Sequence, residues 1–201
     1  LRIDLRVLGM PAIAHRLSPV IREIGAPTDH NRYPFLILRR RRIPGILVIG
    51  FAHLLFVGTG KYKTKLDKLI SERNLQNNVT FTGRVQYDDL AKYICVGDIF
   101  AMPSRSRLAG LEVEGLGIVY LEASACGLPV LGGDSGGAPD AVLQGVTGLV
   151  VDGRDTNAIA SAAIKLLEGD RAAMAEAGRK WAVENWDWNI WGAKFVQLIR
   201  G

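Results

Sequence analysis

Two carboxylates, Glu114 and Glu122, stand eight residues apart in the stretch EGLGIVYLE and are spaced to hold a ligand between them. If a helix begins near Gly117 or Ile118, Glu114 lies in the preceding loop and Glu122 lies just over one turn inside. The first N–H groups of a helix have no intrahelical partner and stand at the positive end of its dipole, so an anion such as a diphosphate is stabilised there. Gly115 and Gly117 carry no Cβ and let that anion approach the backbone. The stretch therefore predicts a phosphate site between two carboxylates that can accept hydrogen bonds from sugar hydroxyls.

The plainer interpretation of the same spacing is two solvated charges on the surface of a helix. Short motifs often match by chance, so the spacing of the carboxylates does not decide between the two interpretations. The elements that surround the stretch have to decide.

Strands and helices alternate from Leu54 onward and are joined by short turns. The pattern predicts strands at 54–57, 79–82, 98–102, 128–131 and 147–151, and helices at 61–75, 87–94, 117–127, 138–143, 155–168 and 171–184. This alternation is typical of an α/β fold, a Rossmann-like parallel sheet flanked by helices. Ligands bind beyond the carboxyl ends of the strands in such a sheet. The post-strand turns should therefore share one crevice of nucleotide size: 58–60, 83–85, 104–114 and 132–137.

The first 53 residues are harder to interpret, because several prolines interrupt them. The pattern predicts a strand at 1–8, a short helix at 35–42 that ends before Pro44, and a buried strand at 46–49. The chain thus divides into two parts. Residues 1–53 are a poorly matching start of the domain, and residues 54–201 are a regular Rossmann-like domain with a crevice of nucleotide size.

The composition is that of a globular protein: 48% of the 201 residues are hydrophobic and 22% are charged. No run approaches the roughly eighteen apolar residues of a membrane span. The chain begins at Leu1 with no signal peptide pattern, so we expect a fragment of a longer cytoplasmic protein. Cys95 and Cys126 are far apart in the sequence and are expected to be reduced core thiols.

The net charge of +5 is concentrated at the start of the chain. Residues 1–50 contain nine arginines and three acids, a net charge of +6, whereas residues 51–201 contain sixteen basic and seventeen acidic residues, a net charge of −1. The run Arg39–Arg42 has two interpretations: contact with phosphates or an anionic membrane surface, and the solvated end of a helix. Because the regular domain is close to neutral, the charge argues against a nucleic-acid-binding protein.

Three features outside the central stretch also have two interpretations each. Gly136 and Gly137 are either a ligand loop or a plain entry into the next helix. Arg105 and Arg107 either touch phosphate or acceptor, or lie on a solvated loop. The tryptophans of the C-terminal segment either pack, at a seam with another domain, or stack on sugars.

In their order and spacing, the motifs of residues 54–195 resemble the C-terminal half of a GT-B glycosyltransferase, and more narrowly the retaining family 4. The matching pieces are VTFTGRV at 79–85, DIFAMPS at 98–104, EGLGIVYLE at 114–122, EASACGLPV at 122–130, SGGAPD at 135–140 and GLVVDGRD at 148–155. The loop LEVEGLGIVYLEA is similar to that of actinobacterial phosphatidylinositol mannoside mannosyltransferases, which use GDP-mannose.

The resemblance implies roles for the central stretch. Glu122 would accept hydrogen bonds from the ribose hydroxyls of the donor nucleotide. Glu114 would be the catalytic residue, in contact with the donor sugar and stabilising positive charge at its anomeric carbon. The distal phosphate would be held by backbone N–H groups along Gly115, Leu116, Gly117 and Ile118. Arg84 and Val85 would face the nucleotide base, largely through their backbone.

The resemblance also implies what the parent enzyme does. It would transfer a hexose, mannose from GDP-mannose, to a lipid-linked or glycan hydroxyl, from the cytoplasm or from a peripheral position on the inner face of the membrane. Family 4 enzymes need no metal ion and no cofactor, because cationic side chains and helix ends neutralise the leaving diphosphate. The acceptor would bind in an N-terminal GT-B domain that is missing from these residues. A UDP-sugar donor stays open, because the base is recognised mostly through backbone.

The start of the chain departs from the family pattern. The family opens this domain with a loop that carries an Arg and, a few residues on, a Lys-Gly pair, and these cations grip the diphosphate. Here Arg16 is followed by Ile21 and Arg22, and no lysine precedes Lys61. A catalytically inactive nucleotide-binding fragment therefore stays open beside the enzyme.

Overall fold

A computed structural model describes the backbone of residues 35–40 and all of residues 52–200. The described strands are β1 (Phe35–Arg40), β2 (Ala52–Val57), β3 (Val79–Phe81), β4 (Ile99–Met102), β5 (Val130–Gly133) and β6 (Gly148–Val151). They form one sheet in the order β3-β2-β1-β4-β5-β6. This is the doubly wound order, in which the strand sequence reverses direction between β1 and β4.

Seven α-helices connect or follow these strands in the described part of the chain. They are α1 (Lys63–Glu72), α2 (Leu90–Ile94), α3 (Ile118–Ala125), α4 (Ala138–Ala141), α5 (Thr156–Glu168), α6 (Arg171–Trp186) and α7 (Trp188–Arg200). Short 3-10 turns lie at Gln76–Asn78, Tyr87–Asp89 and Leu108–Gly110. The predicted α/β fold is confirmed, and between residues 54 and 186 the element boundaries shift by a few residues at most. Helix α7 is not among the predicted helices.

Strand β1 is the exception in an otherwise parallel sheet. It pairs antiparallel with both of its neighbours, with Leu38 opposite Leu54 of β2 and opposite Ile99 of β4. The prediction of a helix at 35–42 is therefore wrong. The run Phe-Leu-Ile-Leu is apolar throughout, and pairing on both sides between two buried strands outweighs its local helical pattern. The strands predicted at 1–8 and 46–49 lie outside the described residues.

The sheet separates two apolar cores, because successive side chains of a strand point to opposite faces. In β4, Ile99 and Ala101 join a core covered by α1 and α5. Phe100 and Met102 join a second core, covered by α2, α3 and α4. Helix α3, which follows the candidate loop, is thus anchored by the second core.

The four tryptophans of the chain lie in the last part of α6 and at the start of α7. Trp186 stacks on Trp191 at 5.5 Å between ring centroids and meets Trp181 edge to face at 6.3 Å. None of the α7 residues is buried, and Trp188 and Leu198 are each 81% exposed. The packing interpretation fits these contacts among the tryptophans themselves. Among the described helices, none is both long and apolar enough to cross a membrane.

The two cysteines lie close together, although they are far apart in the sequence. Cys95 is the C-cap of α2 and Cys126 the C-cap of α3, and the two thiols are close enough for Cys95 to raise the pKa of Cys126. Cys126 is half-buried, but Cys95 is exposed, so the prediction of two core thiols is wrong for Cys95. Burial, the neighbouring Cys95 and the charge of Glu122 raise the pKa of Cys126 to about 12.

Candidate functional site

The loops that follow β4, β5 and β6 meet at the carboxyl edge of the sheet. The hydroxyl of Ser106, after β4, shares a hydrogen bond of 3.1 Å with the hydroxyl of Ser135, after β5. The Arg154 guanidinium, after β6, donates to the carbonyl oxygen of Ser106. In the half of the sheet formed by β2 and β3, the N–H of Gly58 donates to the carbonyl of Gly83 at 3.0 Å and joins the loops after these two strands. The post-strand loops therefore gather in two groups, one after β4, β5 and β6 and one after β2 and β3, and a crevice shared by both groups stays a prediction.

The backbone of Glu114 is held by the loop after β5. Its N–H donates to the Ser135 hydroxyl at 3.2 Å, and its carbonyl accepts from the N–H of Gly137 at 3.2 Å. The same Gly137 N–H lies 2.7 Å from the carbonyl oxygen of Gly115. Gly136 has φ +55°, and a Cβ at this position would overlap the Glu114 carbonyl. The two glycines are therefore more than an entry into α4, because they support the loop that carries Glu114.

Helix α3 begins where the sequence predicts, with Gly117 as its N-cap. Gly117 has φ +73°, and a Cβ there would overlap the ring of Tyr120. The turn therefore requires glycine at 117 for its own geometry, before any ligand is considered. Gly115 has no atom within 4 Å of an added Cβ, so open space lies beside the loop at this residue.

Tyr120 fastens the first turn of α3 to the end of β4. Its side chain is fully buried, and its hydroxyl donates to the carbonyl oxygen of Met102 at 2.6 Å and contacts the Ser104 hydroxyl at 3.0 Å. Burial, with a smaller contribution from the Glu114 charge, raises the Tyr120 pKa, so the hydroxyl stays protonated and can donate. This anchor fixes α3, and with it Glu122, relative to the end of β4.

Both candidate carboxylates are half-buried at the ends of this turn. Burial raises the pKa of Glu114, and the hydrogen bond from the Gly115 N–H partly offsets that rise. Burial alone raises the pKa of Glu122. Carboxyl groups with raised pKa in a crevice are typical of functional sites, although structural burial has the same effect. The arrangement can place two hydrogen-bond acceptors on either side of a helix N-terminus.

The remaining predicted residues surround this turn to different degrees. Leu116 and Val85 both pack against the second core. Arg84 is exposed beside Val85 in the turn after β3. Ile118 is 55% exposed at the first position of α3. Their role in binding a ligand stays a prediction.

The basic residues of β1 lie away from this edge. Arg40 pairs with Ala52, the first residue of β2, so the antiparallel β1 ends at the amino edge of the sheet. Arg39 and Arg40 are strand residues and not the solvated end of a helix, while Arg41 and Arg42 lie outside the described residues. In the loop after β4, Arg107 pairs with Glu112 at 3.6 Å and closes that loop on itself.

Sequence reasoning missed Tyr120, Ser135 and Arg154. Tyr120 lies inside the central stretch, but only the fold shows that its hydroxyl reaches β4. Ser135 and Arg154 lie in the quoted pieces SGGAPD and GLVVDGRD, where their polarity is ordinary for loops. Within the described residues, no three His, Cys, Asp or Glu side chains gather as a metal site requires.

A cavity of about 490 Å³ lies at the opposite, amino edge of the sheet. Its lining includes Val146 before β6, Gly169 after α5 and Met174 of α6. It is mostly apolar, and neither Glu114 nor Glu122 lines it. We place the candidate site at the carboxyl edge, because the polar groups that could orient a ligand converge there.

Fold and site together define a doubly wound α/β domain with a candidate ligand site at its carboxyl edge. Comparison with known proteins identifies the family: the family model described as "Glycosyl transferases group 1" matches residues 50–181. The chain belongs to this family of glycosyltransferases.

Individual relatives show which members of the family the chain is similar to. Over 164 residues the chain is 48% identical to the GDP-mannose-dependent alpha-(1-6)-phosphatidylinositol monomannoside mannosyltransferase of Mycolicibacterium smegmatis, covering 81% of this chain and 41% of that protein. It is 46% identical to the GDP-mannose-dependent monoacylated alpha-(1-6)-phosphatidylinositol monomannoside mannosyltransferase of Corynebacterium glutamicum, covering 74% of this chain and 39% of that protein. The chain thus spans about two fifths of the length of these relatives.

The fold is also that of a solved glycosyltransferase. Sucrose-phosphate synthase from Thermosynechococcus elongatus superimposes with a TM-score of 0.65 at 24% identity, covering 93% of this chain and 41% of that one. At this identity the similarity shows the shared fold alone.

Proposed function

We propose that this chain is the donor-binding domain of a retaining glycosyltransferase that transfers mannose from GDP-mannose to a lipid-linked or glycan hydroxyl. The observation that carries the proposal is the placing of Glu114 and Glu122, half-buried, on either side of the α3 N-terminus with open space at Gly115. The 48% identity to a GDP-mannose-dependent enzyme supports the choice of donor.

Each part of the crevice has a task in this reaction. Glu122 accepts hydrogen bonds from the ribose hydroxyls, and charge-assisted bonds of this kind contribute about 1.5–3 kcal/mol each. The N–H groups of the α3 first turn bind the distal phosphate and stabilise the charge that develops on the leaving diphosphate. Glu114 stabilises positive charge at the anomeric carbon. Arg84 and Val85 face the base, and no metal ion or cofactor takes part.

The diphosphate leaves and the acceptor hydroxyl attacks on the same face of the sugar, which preserves the anomeric configuration. Positioning of donor and acceptor supplies the rest of the catalysis. The acceptor site lies in a second domain of the whole protein. By likeness to enzymes named for phosphatidylinositol mannosides, the acceptor is a lipid, and the protein works in the cytoplasm at the inner face of the membrane.

The first test is a calorimetric titration of this chain with GDP, UDP and GDP-mannose, first without metal and then with magnesium. We expect GDP to bind in preference to UDP, with no change on adding magnesium. Preference for UDP would replace the donor assignment with a UDP-sugar. A folded sample that binds none of the three would overturn the proposal.

The second test separates the two carboxylates in the full-length protein. Glu122→Ala should weaken GDP binding, whereas Glu114→Ala should reduce kcat more than it reduces GDP affinity, because its proposed partner is the sugar and not the nucleotide. Equal GDP affinity for Glu122→Ala and the parent protein would exclude the ribose role.

A second candidate is a nucleotide-binding domain without turnover. The reversed direction of β1 favours it, because β1 ends at the amino edge of the sheet and not at the carboxyl edge, where the diphosphate would bind. Binding of GDP-mannose without any mannose transfer by the full-length protein would select this candidate.

A further inference from the structure

One hydrogen-bonded chain of side chains and carbonyls connects all three loops after β4, β5 and β6 to Glu114. Arg154 donates to the Ser106 carbonyl, the Ser106 hydroxyl meets the Ser135 hydroxyl at 3.1 Å, and the Ser135 oxygen accepts from the Glu114 N–H at 3.2 Å. Each step passes from one loop to the next. The position of Glu114 therefore depends on contacts from three strands of the sheet.

Ser135 is the centre of this chain and is buried. Ser135 is only 2% exposed, and its hydroxyl makes two hydrogen bonds, one with the Ser106 hydroxyl and one from the Glu114 N–H. The loop after β5 is itself pinned, because the Ser135 N–H donates to the Gly133 carbonyl at 2.9 Å. Because the Ser135 hydroxyl is held in place and accepts a hydrogen bond from the Glu114 N–H, it limits the rotation of the Glu114 backbone.

The fixed backbone also bears on the Glu114 carboxylate. The Glu114 carbonyl accepts from the Gly137 N–H at 3.2 Å, and the Gly115 N–H of the same peptide lies close enough to the Glu114 carboxylate to lower its pKa. Rotation of the peptide between Glu114 and Gly115 would break both contacts. The direction of the carboxylate is therefore coupled to the backbone that Ser135 holds.

We propose that Ser135 is a positioning residue for Glu114, with Ser106 and Arg154 holding Ser135 in place. Its hydroxyl fixes the Glu114 backbone and so directs the carboxylate into the open space at Gly115. With respect to the donor sugar, the proposal rests on the function proposed above, in which Glu114 contacts the sugar and Glu122 the nucleotide. The effect of Ser135 should then appear in recognition of the sugar and not of the nucleotide.

The test compares Ser135→Ala with Ser124→Ala in this chain. Ser124 is fully buried in α3, and its hydroxyl has no hydrogen-bond partner among the described residues, so its removal controls for the loss of a buried hydroxyl near the site. Two measurements need no ligand: hydrogen exchange at the Glu114 amide and the pKa of the Glu114 carboxyl, both by NMR. The third is calorimetry with GDP and GDP-mannose.

For Ser135→Ala we expect faster exchange at the Glu114 amide and a Glu114 pKa that falls toward its ordinary value, because the carboxylate reaches solvent. GDP-mannose affinity should fall by about 2- to 13-fold, the equivalent of one uncharged hydrogen bond, while GDP affinity stays constant. Ser124→Ala should change none of the three.

Two outcomes would overturn the proposal. One is a Glu114 amide and pKa that are the same in Ser135→Ala and Ser124→Ala. The other is an equal loss of affinity for GDP and GDP-mannose, which would give Ser135 a general structural role. If the parent chain binds no nucleotide but Ser135→Ala still shifts the exchange and the pKa, the donor-binding function fails and the positioning role stands.

Discussion

The two edges of the sheet differ in what holds their loops. At the carboxyl edge, hydrogen bonds between buried or half-buried groups join the loops after β4 and β5, and the exposed Arg154 joins the loop after β6 to them. Gly136 lies so close to Glu114 that no side chain fits. At the amino edge, an apolar cavity of about 490 Å³ lies among α5, α6 and the turn before β6. There Arg171 pairs with Asp98 at 3.4 Å.

The difference shows that the apolar cavity and the better candidate site are separate places. An apolar cavity provides volume, whereas ligand orientation needs fixed polar groups that converge on one point. The carboxyl edge has such groups, and the amino edge is occupied by packing contacts and one ion pair. Substitutions at the two edges should therefore have different consequences for stability and for binding.

The largest effect should come from Gly136→Ala at the carboxyl edge. The left-handed backbone costs about 1–2 kcal/mol and the overlap with the Glu114 carbonyl about 1–3 kcal/mol more, so unfolding free energy should fall by about 2–5 kcal/mol and nucleotide binding should be lost. Urea unfolding and calorimetry measure both. Gly145→Ala at the amino edge is the control, since Gly145 has φ +77° but no atom within 4 Å of an added Cβ. Equal destabilisation by the two changes would contradict the close contact at Gly136.

The next effect is on binding. Glu122→Ala should reduce GDP affinity by at least about 10- to 150-fold, the equivalent of losing one charge-assisted hydrogen bond worth about 1.5–3 kcal/mol. Calorimetry with GDP measures the change. Glu168→Ala, an exposed acid at the end of α5, should leave GDP affinity unchanged. A similar loss in both variants would show that net charge, and not the position of Glu122, governs binding.

At the amino edge, Arg171→Ala should cost stability and not binding. Its guanidinium pairs with Asp98 and donates to the Leu167 carbonyl at 2.6 Å, and both charged side chains are about one fifth exposed, at 22% and 18%. We expect a loss of about 1 kcal/mol of unfolding free energy, with GDP affinity unchanged. A weaker GDP affinity in this variant would show that the two edges are coupled.

The smallest effect concerns pH. Burial raises the Glu122 pKa above its ordinary value of 4.5, so the folded state binds this proton more tightly than the unfolded state does. That contribution to stability is present below pH 4.5 and is lost as the pH rises through the raised pKa. Glu122→Gln, neutral at every pH, should therefore be slightly more stable than the parent at pH 7, with no gain below pH 4.5. Urea unfolding at both pH values tests this, and an equal gain at the two would exclude ionisation as its cause.

The parallel part of the fold could be predicted from the sequence because its elements are locally encoded. Asp155 caps α5 by accepting from the N–H groups of Asn157 and Ala158, and apolar runs between short turns mark β4, β5 and β6. Glu114 and Glu122 could be placed for the same reason, since Glu114 lies just before a helix start that glycine marks and Glu122 just over one turn after it. Local patterns therefore suffice where sequence neighbours are also spatial neighbours.

The direction of β1 and the supports of Glu114 could not be predicted in this way. Phe35–Arg40 is apolar and short, and only its two neighbours in the sheet decide that it is a strand and which way it runs. Ser135 is 21 residues from Glu114, and Arg154 is 48 residues from Ser106. Contacts at this separation depend on strand order, which no local pattern of serine or arginine contains.

The clustering of the tryptophans determines what an optical experiment on this protein can report. All four lie between positions 181 and 191, and two of them stack at 5.5 Å. Their emission therefore follows the junction of α6 and α7, while the carboxyl-edge crevice contains no such fluorophore. A donor titration that leaves tryptophan emission flat would describe an undisturbed C-terminal junction, so a nucleotide analogue with its own fluorophore is the suitable reporter of the crevice.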